Sequence, residues 1–269
     1  MSRRNQQSAI SGQSMEMFWF LAGLAMLIAA SQFVVGPFVL YFFTRQTAKP
    51  RFQSFDLVNP PLELPPSYTE NIARLEELGF QAVAHLFGAG HSTNVRYVLT
   101  LFVNRPEKDT ANIAYMLGEI PPITRSVVNY VEFCTEFEDG GEVCTNNSKQ
   151  PSGLVQVPEK KIFRLPHITE PKQLYAVHRA MLAKRPAVNK RPAPAGEEVS
   201  YLVATMERDL AREAGFGRLR LDDSGLWYRP TLRGAILICL KFGWPVGFVR
   251  RRILIWQGKS LARGVLSKQ

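Results

Sequence analysis

Residues 17–43 run for 27 positions without one charged side chain, from MFWFLAGLAMLIAAS to FVVGPFVLYFF. Nothing else in the chain limits its fold as much. A helix needs about 20 apolar residues to cross a hydrocarbon layer of about 30 Å, and this run leaves some over for tilt. Ala29-Ala30-Ser31 would serve as a signal-peptide cleavage site, but a mature chain opening Gln-Phe-Val-Val would begin with an unshielded apolar stretch. A buried helix of a soluble domain seldom stays uncharged for so long. The run therefore reads as an uncleaved signal anchor in a single-pass membrane protein. Trp19 and the Tyr41-Phe42-Phe43 cluster stand near its ends, where interfacial aromatics are common. Arg45, Lys49 and Arg51 lie closer to the span than Arg3 and Arg4. That bias predicts a cytoplasmic location for the large C-terminal part.

Net charge is +10 and pI about 9.7, which points to an anionic lipid, nucleic acid or acidic partner. Three cysteines, few and odd in number, fit free thiols in a reducing compartment better than a disulfide framework. Asn146-Asn147-Ser148 is a glycosylation triplet that matters only outside the cytoplasm.

The chain divides on composition. Residues 1–16 are polar and expected to be disordered. Residues 44–66 form a Pro-rich tether that holds the next unit off the bilayer. Residues 67–183 form an α+β globular domain, 184–196 a basic Pro-rich linker, and 197–269 a helical, basic, membrane-interacting region. The domain opens at Ser67-Tyr68-Thr69-Glu70, a capping-box spacing, with Ile72, Leu75 and Leu78 as the buried stripe and Gly79 as the cap. Strand-like runs follow at 80–87, 97–104, 112–120, 127–138, 142–145 and 161–168. No crossover helix separates them, so an antiparallel meander flanked by helices is expected. Asp139-Gly140 turns a hairpin in either of two registers. A three-residue loop would set Cys134 opposite Cys144 and Glu136 opposite Glu142, a costly like-charge pair. Thr169-Glu170-Pro171 starts a closing helix with Leu174, Val177, His178 and Met181 on one face. An amphipathic helix at 197–214 and a small hairpin around Asp222-Asp223-Ser224-Gly225 open the C-terminal region.

From Ser224 onward there is no Asp or Glu, while nine basic residues occur. The apolar stretch 234–249 is interrupted only by Lys241. It is short for a crossing, and a central lysine costs about 2.5–3.5 kcal/mol inside a membrane helix. Lying in the interface lets lysine reach headgroups while the apolar face sinks. Arg233, Lys241, Trp244, Arg250, Arg251, Arg252 and Lys259 are the expected lipid-contact residues, with anionic headgroups as partner. A core helix and a second span are the alternatives. The basic run lacks interleaved stacking aromatics, so nucleic acid is not expected.

Catalytic signatures do not assemble. His85, His91, His167 and His178 are not at metal-ligand spacing, the cysteines lack Cys-x-x-Cys, and no cofactor is implied. Gly258-Lys259-Ser260 lacks the leading glycine of a phosphate loop, because Ile253 stands there. Gly88 to Thr93 reads as a flexible hairpin connection, and Pro65-Pro66-Ser67-Tyr68 as the end of the tether rather than a WW ligand. The expectation is a non-enzymatic scaffold, assembly factor or accessory subunit with an unidentified protein partner. A binding module for a lipid or other amphiphile, and a membrane enzyme using His85 or His91, are the alternatives.

Overall fold

The computed structural model describes residues 3–120, 124–150, 159–185 and 188–266. In chain order the elements are α1 (Arg3–Phe43), β1 (Gln46–Thr47), β2 (Gln53–Ser54), α2 (Pro66–Glu77), β3 (Gln81–Ser92), β4 (Val95–Asn104) and β5 (Asp109–Ile120). Next come β6 (Thr124–Phe137), β7 (Glu142–Asn146), β8 (Lys160–Arg164), α3 (Pro171–Leu182), β9 (Lys190–Arg191) and α4 (Glu198–Gly215). The chain ends with β10 (Leu219–Leu221), β11 (Trp227–Pro230), α5 (Leu232–Phe242) and α6 (Val246–Leu266). The fold is mixed α+β, with one mostly antiparallel sheet flanked by helices.

The strands lie in the order β10-β11-β1-β3-β4-β5-β6-β7-β8, with β2 added on β3 and β9 on β6. All six expected strands form, and β3 to β7 are the antiparallel meander. One departure is β8, which runs parallel to β7. The expected C-terminal hairpin, β10–β11, forms but is not separate, because β1 bridges it to β3.

Alternation along the strands splits the sheet into two faces. Val98, Phe102, Ile113 and Phe133 point to the main core, where they meet Leu75 of α2 and Leu174 of α3. Packing of α2 uses Tyr68 as well as the expected Ile72 and Leu75. Tyr68 is fully buried and its hydroxyl bonds Thr100 Oγ1 at 2.8 Å. The capping box is not made. Pro65 is the N-cap with no side-chain bond, Pro66 fills the first helical position, and Ser67 Oγ instead accepts from Asn129 Nδ2 at 3.3 Å. Gly79 takes the expected left-handed conformation at φ +82°.

Three segments depart from the compositional reading. Helix α1 begins at Arg3 inside the stretch expected to be irregular, where Ala, Gln, Met and Arg are good helix formers. The Pro-rich tether does not hold the domain away. Its apolar residues fold onto the sheet, with Leu62 buried, β1 and β2 paired to β3, and Thr93 Oγ1 bonded to the Phe43 carbonyl at the end of α1 (3.3 Å). The second linker is pinned too. Lys190 Nζ reaches Asp109 Oδ1 at 2.7 Å, where Asp109 is buried, and Arg191 pairs with Glu136 across β9 and β6.

Candidate functional site

The other face of the sheet is a groove of about 610 Å³, roofed in part by α4. Its floor reads in rows across the strands. Tyr97 sits opposite Met116, and Leu99 aligns with Ala114 and Tyr130. Next is the row Leu101, Asn112, Glu132, Asn146, then Val103, Thr110, Cys134, Cys144, and finally Glu136 with Glu142. The rows pass from apolar to acidic. On α4, Leu202 and Val199 face the apolar rows with Phe52, and Asp209 faces the acidic end. Five carboxylates and three Lys or Arg side chains line the groove, an acidic site on a chain of charge +10.

The hairpin adopts the three-residue loop with Gly140 left-handed at φ +80°; the Phe137 N–H donates to the Gly141 carbonyl at 2.9 Å. Cys134 and Cys144 then face each other and are joined by a disulfide, which corrects the free-thiol reading. The pair occupies a non-hydrogen-bonded position of the ladder, where side chains come closest. Cys239 is the one free cysteine. The repulsion within the like-charge pair is eased by neighbours that linear sequence does not reveal. Lys160 Nζ is 3.1 Å from both Glu142 and Asp209, and Tyr201 donates its hydroxyl to Glu136. Burial pushes the Glu142 carboxyl up, against the pull of the Lys160 ammonium. Burial also works against the charge on Lys160, but the two carboxylates outweigh it and its pKa lies above the ordinary lysine value.

Glu132 differs. Among the described residues its two oxygens accept from amides, Asn146 Nδ2 at 2.7 Å and Asn112 Nδ2 at 3.4 Å. Having turned its N–H₂ to the carboxylate, Asn112 is left with a buried Oδ1 that has no partner. Glu132, Cys134 and Cys144 place possible ligand atoms within 4.8 Å of one another. The two sulfurs are bonded to each other, however, and offer no thiolate to a metal. Asn146 of the glycosylation triplet is buried in this row and so is closed to a glycan in the folded chain.

The other motifs resolve structurally. His85 and His91 lie on opposite faces of the sheet. His85 Nδ1 is 2.9 Å from Thr100 Oγ1 on the core side, and burial lowers its pKa. His91 lines the groove, takes the Arg51 N–H on Nε2 at 2.8 Å, meets the Tyr97 hydroxyl through Nδ1, and is likewise lowered by burial. His178 is a core histidine between Thr135 and Thr145. Gly88 lies within β3 rather than in a turn, because a Cβ there would meet the Tyr97 ring at 2.5 Å. Gly258-Lys259-Ser260 lies inside α6, where Gly258 packs on the Arg164 carbonyl.

The expected lipid-contact residues lie on α5, α6 and the turn between them. Helix α5 packs antiparallel to the C-terminal half of α1. A Cβ on Gly36 would meet Cys239 Sγ at 3.0 Å, and the Trp244 N–H donates to Gln32 Oε1 at 3.1 Å. Gly36 therefore serves close approach of a helix. Helix α6 then leaves the turn at 61° to α5 and returns to the domain, where Ala262 joins the core. Arg233, Arg250 and Lys259 are exposed; Arg251 contacts Gln150 Oε1 at 3.4 Å, and Arg252 lies over the Phe248 ring at 5.3 Å. Lys241 is half-buried and Trp244 is exposed.

No family model, curated protein or solved structure matches this chain. Its class is set by the fold alone: a mixed α+β protein with one N-terminal helix, Met15–Phe43 with a mean hydropathy of 2.0, apolar enough to span a membrane.

Proposed function

We propose that this chain is a non-enzymatic, membrane-anchored protein of the scaffold, assembly or accessory-subunit class. Its folded part is held against the bilayer by α1 and by lipid contact of α5 and α6, and it presents a surface to a protein partner. One observation carries the reading. The exposed apolar surface of α1 continues onto Leu232, Phe242, Trp244, Phe248, Ile253 and Trp256. A patch of this kind marks an interaction surface. Arginines border it, and a guanidinium matches lipid phosphate well. Each basic residue adds about 1 kcal/mol on an anionic surface at modest salt.

In this reading the folded part faces the oxidising side of its membrane. The basic bias beside the span favours the cytoplasm, but long C-terminal domains cross regardless of such charges. The Cys134–Cys144 disulfide favours the other side, because cytosolic thiols are kept reduced.

The test uses full-length protein in nanodiscs containing phosphatidylglycerol with brominated acyl chains. With Trp19, Trp227 and Trp244 replaced by Phe, Trp256 is the sole tryptophan. Its fluorescence should be quenched relative to unbrominated discs. Unchanged fluorescence would overturn the lipid contact.

A further inference from the structure

We propose that the groove between the sheet and α4 binds a cationic amphiphile, a protonated amine on an aliphatic chain. The ammonium sits on Glu132 and Asn112, and the chain runs along Leu99, Met116 and Leu202. Three features of the groove point to this ligand. Its volume of about 610 Å³ is that of a small-molecule site, for which about 300–1,000 Å³ is usual. Its polarity is graded in one direction, because the row holding Glu132 directly adjoins the apolar row Leu99, Ala114, Tyr130. And its unmet hydrogen-bonding capacity is of one kind. At the acidic end Glu136 has Tyr201, and Glu142 and Asp209 share Lys160. Among the described residues no Lys or Arg lies within ion-pair distance of Glu132, and beside it the Asn112 Oδ1 is a buried acceptor without a donor.

Two adjacent acceptors call for a donor with several N–H groups, and the negative charge on one of them calls for a cation. An ammonium supplies both. Flipping the Asn112 amide would not remove the need, because its oxygen would then face the Glu132 carboxylate. Arg164, two strands away, shares the field of Glu132, but its Nη1 is committed to the Gln150 carbonyl at 2.5 Å and it does not line the groove. An anionic amphiphile of the same length has no donor for Asn112 Oδ1 and would face the Glu132 carboxylate, and a neutral one can donate a hydrogen bond but supplies no charge to Glu132.

The test titrates octylammonium, octanoate and ethylammonium into full-length protein in phosphatidylcholine nanodiscs, with calorimetry against empty discs. Octylammonium should bind saturably, and octanoate and ethylammonium each at least about tenfold more weakly. Glu132→Gln, which keeps the shape and both amide neighbours, should lose about tenfold for octylammonium. Thr205→Trp, which fills the groove from α4, should abolish binding, while Lys172→Gln, exposed on α3 and away from the groove, should change nothing. An intact Cys134–Cys144 disulfide in each variant verifies that the hairpin has formed. Equal affinity for octylammonium and octanoate, no saturable binding, or full affinity in Glu132→Gln would overturn the proposal. Native mass spectrometry identifies the source. An amine-headed lipid retained from the membrane supports a bilayer ligand, and an empty chain that takes up octylammonium supports a soluble one.

Discussion

Acidification should loosen the seam between α3 and the sheet through one residue. His178 is fully buried, with Nε2 2.9 Å from Thr135 Oγ1 and Nδ1 3.1 Å from Thr145 Oγ1. Burial pushes its pKa down from 6.5 to about 4, the charge of Asp109 opposing only in part. The unfolded chain binds a proton near 6.5, while the folded chain does not until about 4. Stability therefore rises with pH across this window and is lost as pH falls through it. At about 1.36 kcal/mol per pH unit, the gap from 6.5 to about 4 amounts to about 3 kcal/mol. For a domain of this size about 1 kcal/mol moves Tm by roughly 2–4 °C, so a drop of roughly 6–12 °C is expected between pH 7 and pH 4. Near-ultraviolet circular dichroism melts of the detergent-solubilised chain measure it. His178→Gln, which can still bond both hydroxyls but takes no proton, should be less sensitive by that amount. Contributions from carboxylates, including the raised Glu142 with its opposite sign, are common to both proteins and cancel. Parallel pH profiles for the two would refute the reasoning.

Further outcomes follow from the same contacts. Maleimide should label one of the three cysteines before reduction and all three after it, and reduction should cost about 2.5–3 kcal/mol for a loop of this length. Lys160→Met strips Glu142 and Asp209 of their shared, largely buried cation and should cost about 3–5 kcal/mol in denaturant unfolding, part of it recovered by adding Glu142→Gln. Gly36→Cys should cross-link to Cys239 under mild oxidation, and a failure to do so would argue against the α1–α5 packing.

Much of the sheet was legible in sequence because strand alternation is local. Hydrophobic runs separated by turn residues located all six expected strands, and Asp139-Gly140 limited the hairpin to two registers. What sequence could not convey was relief from afar. The three-residue loop looked costly because Glu136 meets Glu142, and the groups that ease it, Lys160 and Tyr201, come from β8 and α4. The Pro-rich segments looked like free linkers because proline weakens strands. Leu62 is buried and Phe52 packs half-buried on the sheet nonetheless, and two-residue strands suffice to pin the chain. The groove had a visible trace. Tyr130, Glu132, Cys134 and Glu136 alternate along β6, so one face of that strand was polar and unlike the buried face at Val131, Phe133 and Thr135. The roof over it required α4 to fold back, which no local pattern reports.

The claim beneath the whole account is that α1 stays uncut in the bilayer and fixes the folded part to it. Alkaline carbonate extraction of membranes, followed by intact-mass measurement, tests it most directly. The full-length chain, with residues 1–43 still attached, should remain in the membrane pellet. Release into the supernatant, or a mature chain beginning near Gln32, would contradict it.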